Sequence, residues 1–190
     1  MTQDTQTPTT PMTKEEIRAK LDAQSGGGDF QPVPTGIYKF IPSEITHIKR
    51  DSKGIMRVRL ELTIDGEIET DARGKALSDV VLSSDQDGRK IWEGGALEGD
   101  QIRYFTIPLA NALLKRYPDN FDAIIAMPGV DIENVAETVA DDESEAQWRE
   151  YFQYVIECGL SFIGKLTNRG KDAGGYDNYR LTILNDQTAE

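Results

Sequence analysis

The sequence predicts a mainly β protein with helical additions: three strands, then a helical segment, then two more strands. Two observations carry this. The stretch from Gly36 to Gly66 reads as one long hairpin whose second arm alternates strictly. Met56, Val58, Leu60, Leu62 and Ile64 point one way, and Arg57, Arg59, Glu61 and Thr63 the other. Side chains in a strand switch faces at every residue, so this arm is a half-buried strand with a wet, partly basic outer face. The second observation is a closing hairpin, Ser161 to Thr167 and Tyr176 to Leu184, around a Gly-rich loop that carries Arg169 and Lys171. A long hairpin with an apolar inner face cannot stand alone in water, so the rest of the chain has to supply strands for it to close onto.

Residues 1–33 read as a disordered tail, a short helix and a linker. Met1 to Met12 is Thr, Gln and Pro with one Asp and has nothing to bury. Thr13 and Glu16 form a capping box ahead of Ile17 and Leu21, the only apolar pair of that helix. Gly26, Gly27 and Gly28 break it. No Lys-Ser/Thr pair follows them and no strand precedes them, so they are a linker and not a phosphate loop.

Residues 34–184 form the folded domain. Asp51-Ser52-Lys53-Gly54 supplies the Asp and Gly of the first turn. Asp65-Gly66 and then Asp71 to Lys75 read as a polar loop, and Ala76 to Ser83 as the third strand. Asp85 to Gly88 lacks the later ligands of a calcium loop and reads as a plain turn. Arg89 to Trp92 is a short basic, aromatic piece, and Gln101 to Ile107 a further strand or an extended lead-in. Pro108 opens a helix from Leu109 to Tyr117, which Pro118 ends. Phe121 to Met127 is too short to type. Asp131 to Glu145 is acidic and reads as a mobile or helix-initiating surface segment. From Glu145 to Cys158 the spacing of Trp148, Tyr151, Phe152 and Val155 is helical, and Gly159 stands where a C-cap belongs. The helical insert is therefore about 108–158, and 185–190 is a C-terminal tail.

The one cysteine, Cys158, excludes an internal disulfide and gives no support to a cysteine metal site. No window reaches the ~18 apolar residues of a membrane span, and no signal pattern opens the chain, so a soluble, cytoplasmic protein without membrane partners is expected. The net charge of -12 argues against a nucleic-acid partner until its distribution is considered. Eight acids between Asp131 and Glu150 face a single arginine, a local -7, whereas Lys49 to Arg59 carries a local +4. Salt screens such patches from one another beyond ~10 Å, so the local sign governs.

Catalytic chemistry is poorly supported. The lone histidine, His47, lies on the first strand with no activated nucleophile in its sequence context, and reads as an ordinary surface or core residue. The acids at Asp141 to Glu143 read as solubilising charge and not as a metal site. No cofactor, metal site or catalytic residue is therefore expected.

What remains is a binding surface. Cations track phosphates and aromatic rings stack on bases where small barrels hold single strands. Here cations and aromatics recur together on strands and turns. The candidate contacts are Tyr38, Lys49, Arg50, Lys53, Arg57, Arg59, Trp92, Arg103, Lys165, Arg169, Lys171, Tyr176 and Arg180. Each taken singly is an ordinary solvated charge or a core ring; the recurrence is what points to a site.

Pro34-Thr35-Gly36-Ile37-Tyr38, the alternating hairpin, the mid-chain helical insert and the closing hairpin together resemble the phage-type single-stranded DNA-binding proteins with an OB-fold. The resemblance covers Pro34 to Leu184 as an order of elements. It implies a five-stranded OB-fold-like barrel that protects single-stranded DNA in phage replication or recombination, with replication or recombination proteins as further partners and the host cytoplasm as its compartment. Such proteins often end in an acidic tail tipped by an aromatic. This chain ends Asn185-Asp186-Gln187-Thr188-Ala189-Glu190 without one, which removes the basis for tail-mediated recruitment. Two other classes stay open: a structural or adaptor protein using the same barrel for a protein partner, and a nuclease or other nucleic-acid enzyme using the acidic segment for metal.

Overall fold

The computed structural model describes residues 31–131, 133–141 and 143–185. The expected tail, capping-box helix and glycine linker, and the residues past Asn185, lie outside these. The frame is one antiparallel sheet built on two 15-residue strands, β1 (Gly36–Arg50) and β2 (Met56–Thr70). β3 (Ala76–Leu82), β4 (Lys90–Ala96), β5 (Phe162–Lys171) and β6 (Asp177–Ile183) complete it. The order is β3-β2-β1-β5-β6, with β4 also on β2. β3 and β4 share one edge of β2, β3 taking Glu67 to Thr70 and β4 taking Arg57 to Thr63. Among the described residues no ladder joins β4 to β6, so the sheet is not closed.

The expected inner face is the core. Met56, Val58, Leu60, Leu62 and Ile64 are all buried, with Tyr38, Phe40 and Ile48 from β1 and Phe162 and Leu166 from β5. The β1–β2 ladder has three register irregularities, which increase strand twist and let one long hairpin curl around this core. Gly66, expected in a loop, lies inside β2 with φ 109°. Val81 sits where its Cβ would go, 2.2 Å away, so only glycine lets β3 cross there.

The three tight hairpins use one device. In Asp51-Ser52-Lys53-Gly54, Asp71-Ala72-Arg73-Gly74 and Asp172-Ala173-Gly174-Gly175, the aspartate Oδ1 accepts from the backbone N–H groups two and four residues on, at 2.8–3.1 Å. The expected loop Asn168 to Gly175 thereby shrinks to its second half, and β5 runs on to Lys171.

Three further expectations change. Lys90–Ala96 is a sixth strand, where the sequence suggested only a short basic piece. Gln101 to Ile107 is not extended: Asp100–Tyr104 is a 3-10 turn, and α1 spans Thr106–Arg116. In a strand Ile102 and Tyr104 would share a face, yet Ile102 is buried and Tyr104 is 83% exposed. Burial of Ile102 and Phe105, three apart, selects the helical turn. Pro108 is then the third residue of α1, still in the first turn, where its missing N–H costs nothing. Finally, a 3-10 turn (Pro118–Asn120) and α2 (Phe121–Ile125) follow, and α3 spans Ser144–Glu157. The aromatic stripe of α3 is core as expected: Trp148 stacks on Phe152 at 5.7 Å and meets Tyr151 edge-on at 5.5 Å. No described helix is long and apolar enough to cross a membrane.

The described residues of the acidic segment are docked and α3 starts within it at Ser144, as the helix-initiating alternative expects, while the mobile alternative is corrected. Val135, Thr138 and Ala140 are buried, and Gly99 N–H donates to the Thr138 carbonyl. Glu98 is the clasp. Its carboxylate accepts from the amides of Met56 (2.6 Å) and Ala140 (2.8 Å) and from Arg50 Nη1 (3.0 Å), while Arg50 Nη2 reaches the Ala140 carbonyl. Hydrogen bonds to a charged group contribute ~1.5–3 kcal/mol each, so Glu98→Ala should lower unfolding stability by at least that much in urea titration. Amide exchange should then accelerate at Ala140 and Met56. Unchanged exchange at both amides would mean that the segment is held by its apolar residues alone.

Candidate nucleic-acid interface

The outer face of β1–β2–β4 sets functional side chains in rows fixed by register. His47 lies opposite Arg59, which lies opposite Gly94; Lys49 lies opposite Arg57, which lies opposite Ala96. Trp92, 47% exposed, faces outward one step along β4 from this block. Alternation alone explains the arrangement: each residue is the outward partner of a buried neighbour. Together His47, Arg57, Arg59, Trp92, Glu93, Gly94 and Gly95, with Val58, line a groove of about 310 Å³.

Glycines open that groove. A Cβ on Gly94 would lie 2.0 Å from the Val58 carbonyl oxygen, and one on Gly95 2.4 Å from Phe105 Cβ. Any side chain at either position would push β4 off its neighbours.

The cations differ in how far they are committed. Arg57 Nε is 2.7 Å from Asp51 Oδ2, and its Nη2 reaches Gln101. Asp51, held below the usual carboxylate range chiefly by that bond, is thus both the turn residue and a counter-ion. Arg59 has no ion pair or hydrogen bond among the described residues. Lys49, opposite Arg57, and Lys53, on the turn, are exposed. Burial, then Lys49 and Arg59, hold His47 below its ordinary value, so it is neutral at pH 7 and gains charge only in acid. Further down the sheet Lys90 pairs with Glu61 at 2.7 Å.

Glu93 stands apart. It lies opposite Leu60, on the core side of β4 at its open edge. Burial pushes its carboxyl up to about 7, against the lowering influence of the Gly94 and Leu181 amides and of the Arg59 and Arg169 charges.

The sequence candidates divide accordingly. Arg57, Arg59 and Trp92 come together in the groove, Lys49 adjoins them as the ladder partner of Arg57, Lys53 stands on the β1–β2 turn, and Arg169 acts on the Glu93 carboxyl by its charge. Lys171 and the 76%-exposed Tyr176 stand at the β5–β6 turn. Lys165 and Arg180 lie on the outward face of β5–β6, and Lys165 Nζ sits beside the β2–β3 turn at Gly74. Arg103 pairs with Asp100 at 3.6 Å. Two candidates are spent elsewhere. Arg50 is held by Glu98, Gly54 and Ala140. Tyr38 is a correction: it is 1% exposed, packs edge-on against Phe40 at 6.2 Å and donates its hydroxyl to the Pro34 carbonyl. The neighbouring Gly36 leaves room for the Tyr38 ring itself, 2.8 Å from where a Cβ would be, and not for a ligand. The groove residues missed from sequence are His47, Glu93, Gly94 and Gly95. The signal for His47 was present, since it precedes Lys49 by the two-residue period of a strand.

The fold and groove define an open β-sheet domain with a basic, aromatic-edged cleft between strands. No protein-family model matches the chain, and no curated protein sequence matches it.

Glu93 makes stability depend on pH. Its folded-state value lies above its ordinary 4.5, so the folded protein prefers the protonated form. That contribution is complete below the ordinary value and is lost as pH rises through about 7. Unfolding in urea at pH 5.5 and 8.5 should show the wild type losing stability at the higher pH and Glu93→Gln losing less. Equal losses in both proteins would place the carboxyl in ordinary solvent.

Proposed function

We propose that the protein is a non-enzymatic binder of single-stranded DNA with little sequence preference, acting on the DNA of a replication or recombination system of phage type. The observation that carries this is the like-charge pairing on the outer face, where Lys49 sits directly opposite Arg57 next to the row His47–Arg59. Like charges directly opposite destabilise a sheet, so their retention beside an exposed tryptophan supports an anionic, stackable ligand. Backbone phosphates would lie along Arg59, Arg57, Lys49 and Lys53, and a base on Trp92, with Arg169, Lys171 and Tyr176 reaching in from the β5–β6 turn. Nothing in the groove offers a code for particular bases.

The same reading takes the sheet as an OB-type barrel whose seam lies between β4 and β6. Support comes from the long hairpin, whose first strand also takes β5 and whose second takes β3 and β4, so that β4 and β6 are the ends left to meet. A protein-binding adaptor is the second reading. It is favoured by Leu77, Val80 and Leu82, each 47–60% exposed on edge strand β3.

Titration of oligothymidylate at several salt concentrations tests the first reading. Arg57→Ala with Arg59→Ala should weaken binding and flatten the log–log salt slope by ~0.7 per lost phosphate contact. Trp92 fluorescence should be quenched on binding, and Trp92→Ala should cost ~1–3 kcal/mol of affinity, whereas the buried Trp148 should not respond. Folded variants with wild-type affinity and slope would move the assignment to the adaptor.

A further inference from the structure

Arg57 lines the groove with its guanidinium held from two sides. Nε donates to Asp51 Oδ2 at 2.7 Å, and Nη2 donates to Gln101 Oε1 at 2.5 Å. Both holders are anchored. Asp51 Oδ1 accepts from the amides of Lys53 (2.8 Å) and Ile55 (3.1 Å), which fixes it in the β1–β2 turn. Gln101 stands in the 3-10 turn after β4, next to the buried Ile102, whose amide donates to the Gly99 carbonyl at 3.2 Å. Arg57 itself is set in the ladder between Lys49 of β1 and Ala96 of β4.

The two bonds use the Nε hydrogen and one on Nη2. Nothing else among the described residues accepts from Arg57, so both Nη1 hydrogens and the second on Nη2 are left to donate. The side chain is still 37% exposed. Arg59, by contrast, has no hydrogen bond or ion pair among the described residues and keeps its rotamer freedom.

We propose that Asp51 and Gln101 are positioning residues of the groove: they hold the Arg57 guanidinium in place, so that its unused Nη1 side meets a backbone phosphate without first being ordered. The inference rests on the DNA-binding reading above and adds which residues set the geometry of the contact. An unrestrained arginine loses rotamer entropy when it binds, whereas a clamped one has lost it on folding. Arg57 is then the fixed contact that sets where a phosphate sits, and Arg59 the adaptable one that follows the strand. Asp51 also offsets part of the Arg57 charge, but Gln101 is neutral. Losing Gln101 therefore removes orientation and no charge.

The test measures affinity of the full chain for a 5′-labelled oligothymidylate over a salt series. Gln101→Ala is compared alone, with Arg57→Ala and with Arg59→Ala. Alone it should bind roughly two- to tenfold more weakly, the cost of ordering one long side chain, and keep the wild-type salt slope because every cation remains. That loss should vanish in the Arg57→Ala background and persist in full in the Arg59→Ala background, because the positioning acts through Arg57 alone. A Gln101→Ala protein of wild-type affinity overturns the proposal. So does an equal loss in both backgrounds, which a general loosening of the 3-10 turn would give. If the variant does not fold, exchange of the Arg57 Nε proton with water in wild-type protein serves. It should be slow without ligand, and exchange as fast as at Arg59 overturns the proposal. Absence of oligonucleotide binding by the wild type is a different failure: it removes the DNA-binding reading, and this inference falls with it.

Discussion

Everything in the domain hangs on the antiparallel pairing of β1 with β2. Their 15-residue strands are the longest among the described residues. β5 takes the first third of β1, Gly36 to Phe40, and β3 and β4 divide the free edge of β2. A flat hairpin of that length would expose its apolar face. The irregularities in the ladder curl it instead, so that Phe40, Leu60 and Leu62 face Phe162, Leu97 and the aromatic helix α3. Burying such side chains contributes ~1.5–3 kcal/mol each, which is what fixes the register. A slip by one residue would put Arg57 and Arg59 in the core.

That same register makes the groove. Once Val58 and Leu60 point inward, Arg57 and Arg59 must point outward, and His47, Lys49, Gly94 and Ala96 follow as their ladder partners. No separate device is needed to collect the cations. What needs a device is their repulsion: Asp51 and Gln101 draw Arg57 aside, and Glu98 takes Arg50 out of the patch altogether. The helical insert therefore does more than cap the core. It follows directly from β4 through the Glu98 clasp, which ties the acidic segment down through Ala140 and keeps it from trailing in solvent.

The strictly alternating stretch Met56 to Ile64, the Asp-Gly turn at Gly54 and the aromatic stripe of α3 were legible from sequence because each is a local pattern with one period and one dominant energy term. The cations Lys49, Arg57 and Arg59 were legible for the same reason, as the complement of the apolar face. β4 was not: Ile91 and Trp92 are followed by Gly94 and Gly95, which carry no side chain to show a period and read as a break. Only their closeness to Val58 and Phe105 gives these glycines a meaning. Tyr38 failed for the opposite reason. Its local context, a tyrosine beside a glycine at a strand start, fits an open ring and a buried one equally well, and Phe40 and the Pro34 carbonyl decide between them. Glu93 belongs to the same class. By sequence it is one acid among 33; its position opposite the buried Leu60, on the core side of β4, is what pushes its carboxyl up. The sequence by itself determined which residues face in and which face out, because that depends on period alone. Only the tertiary structure decided which outward residues share a surface, because that depends on pairings such as Arg59 with Gly94, between strands distant in sequence.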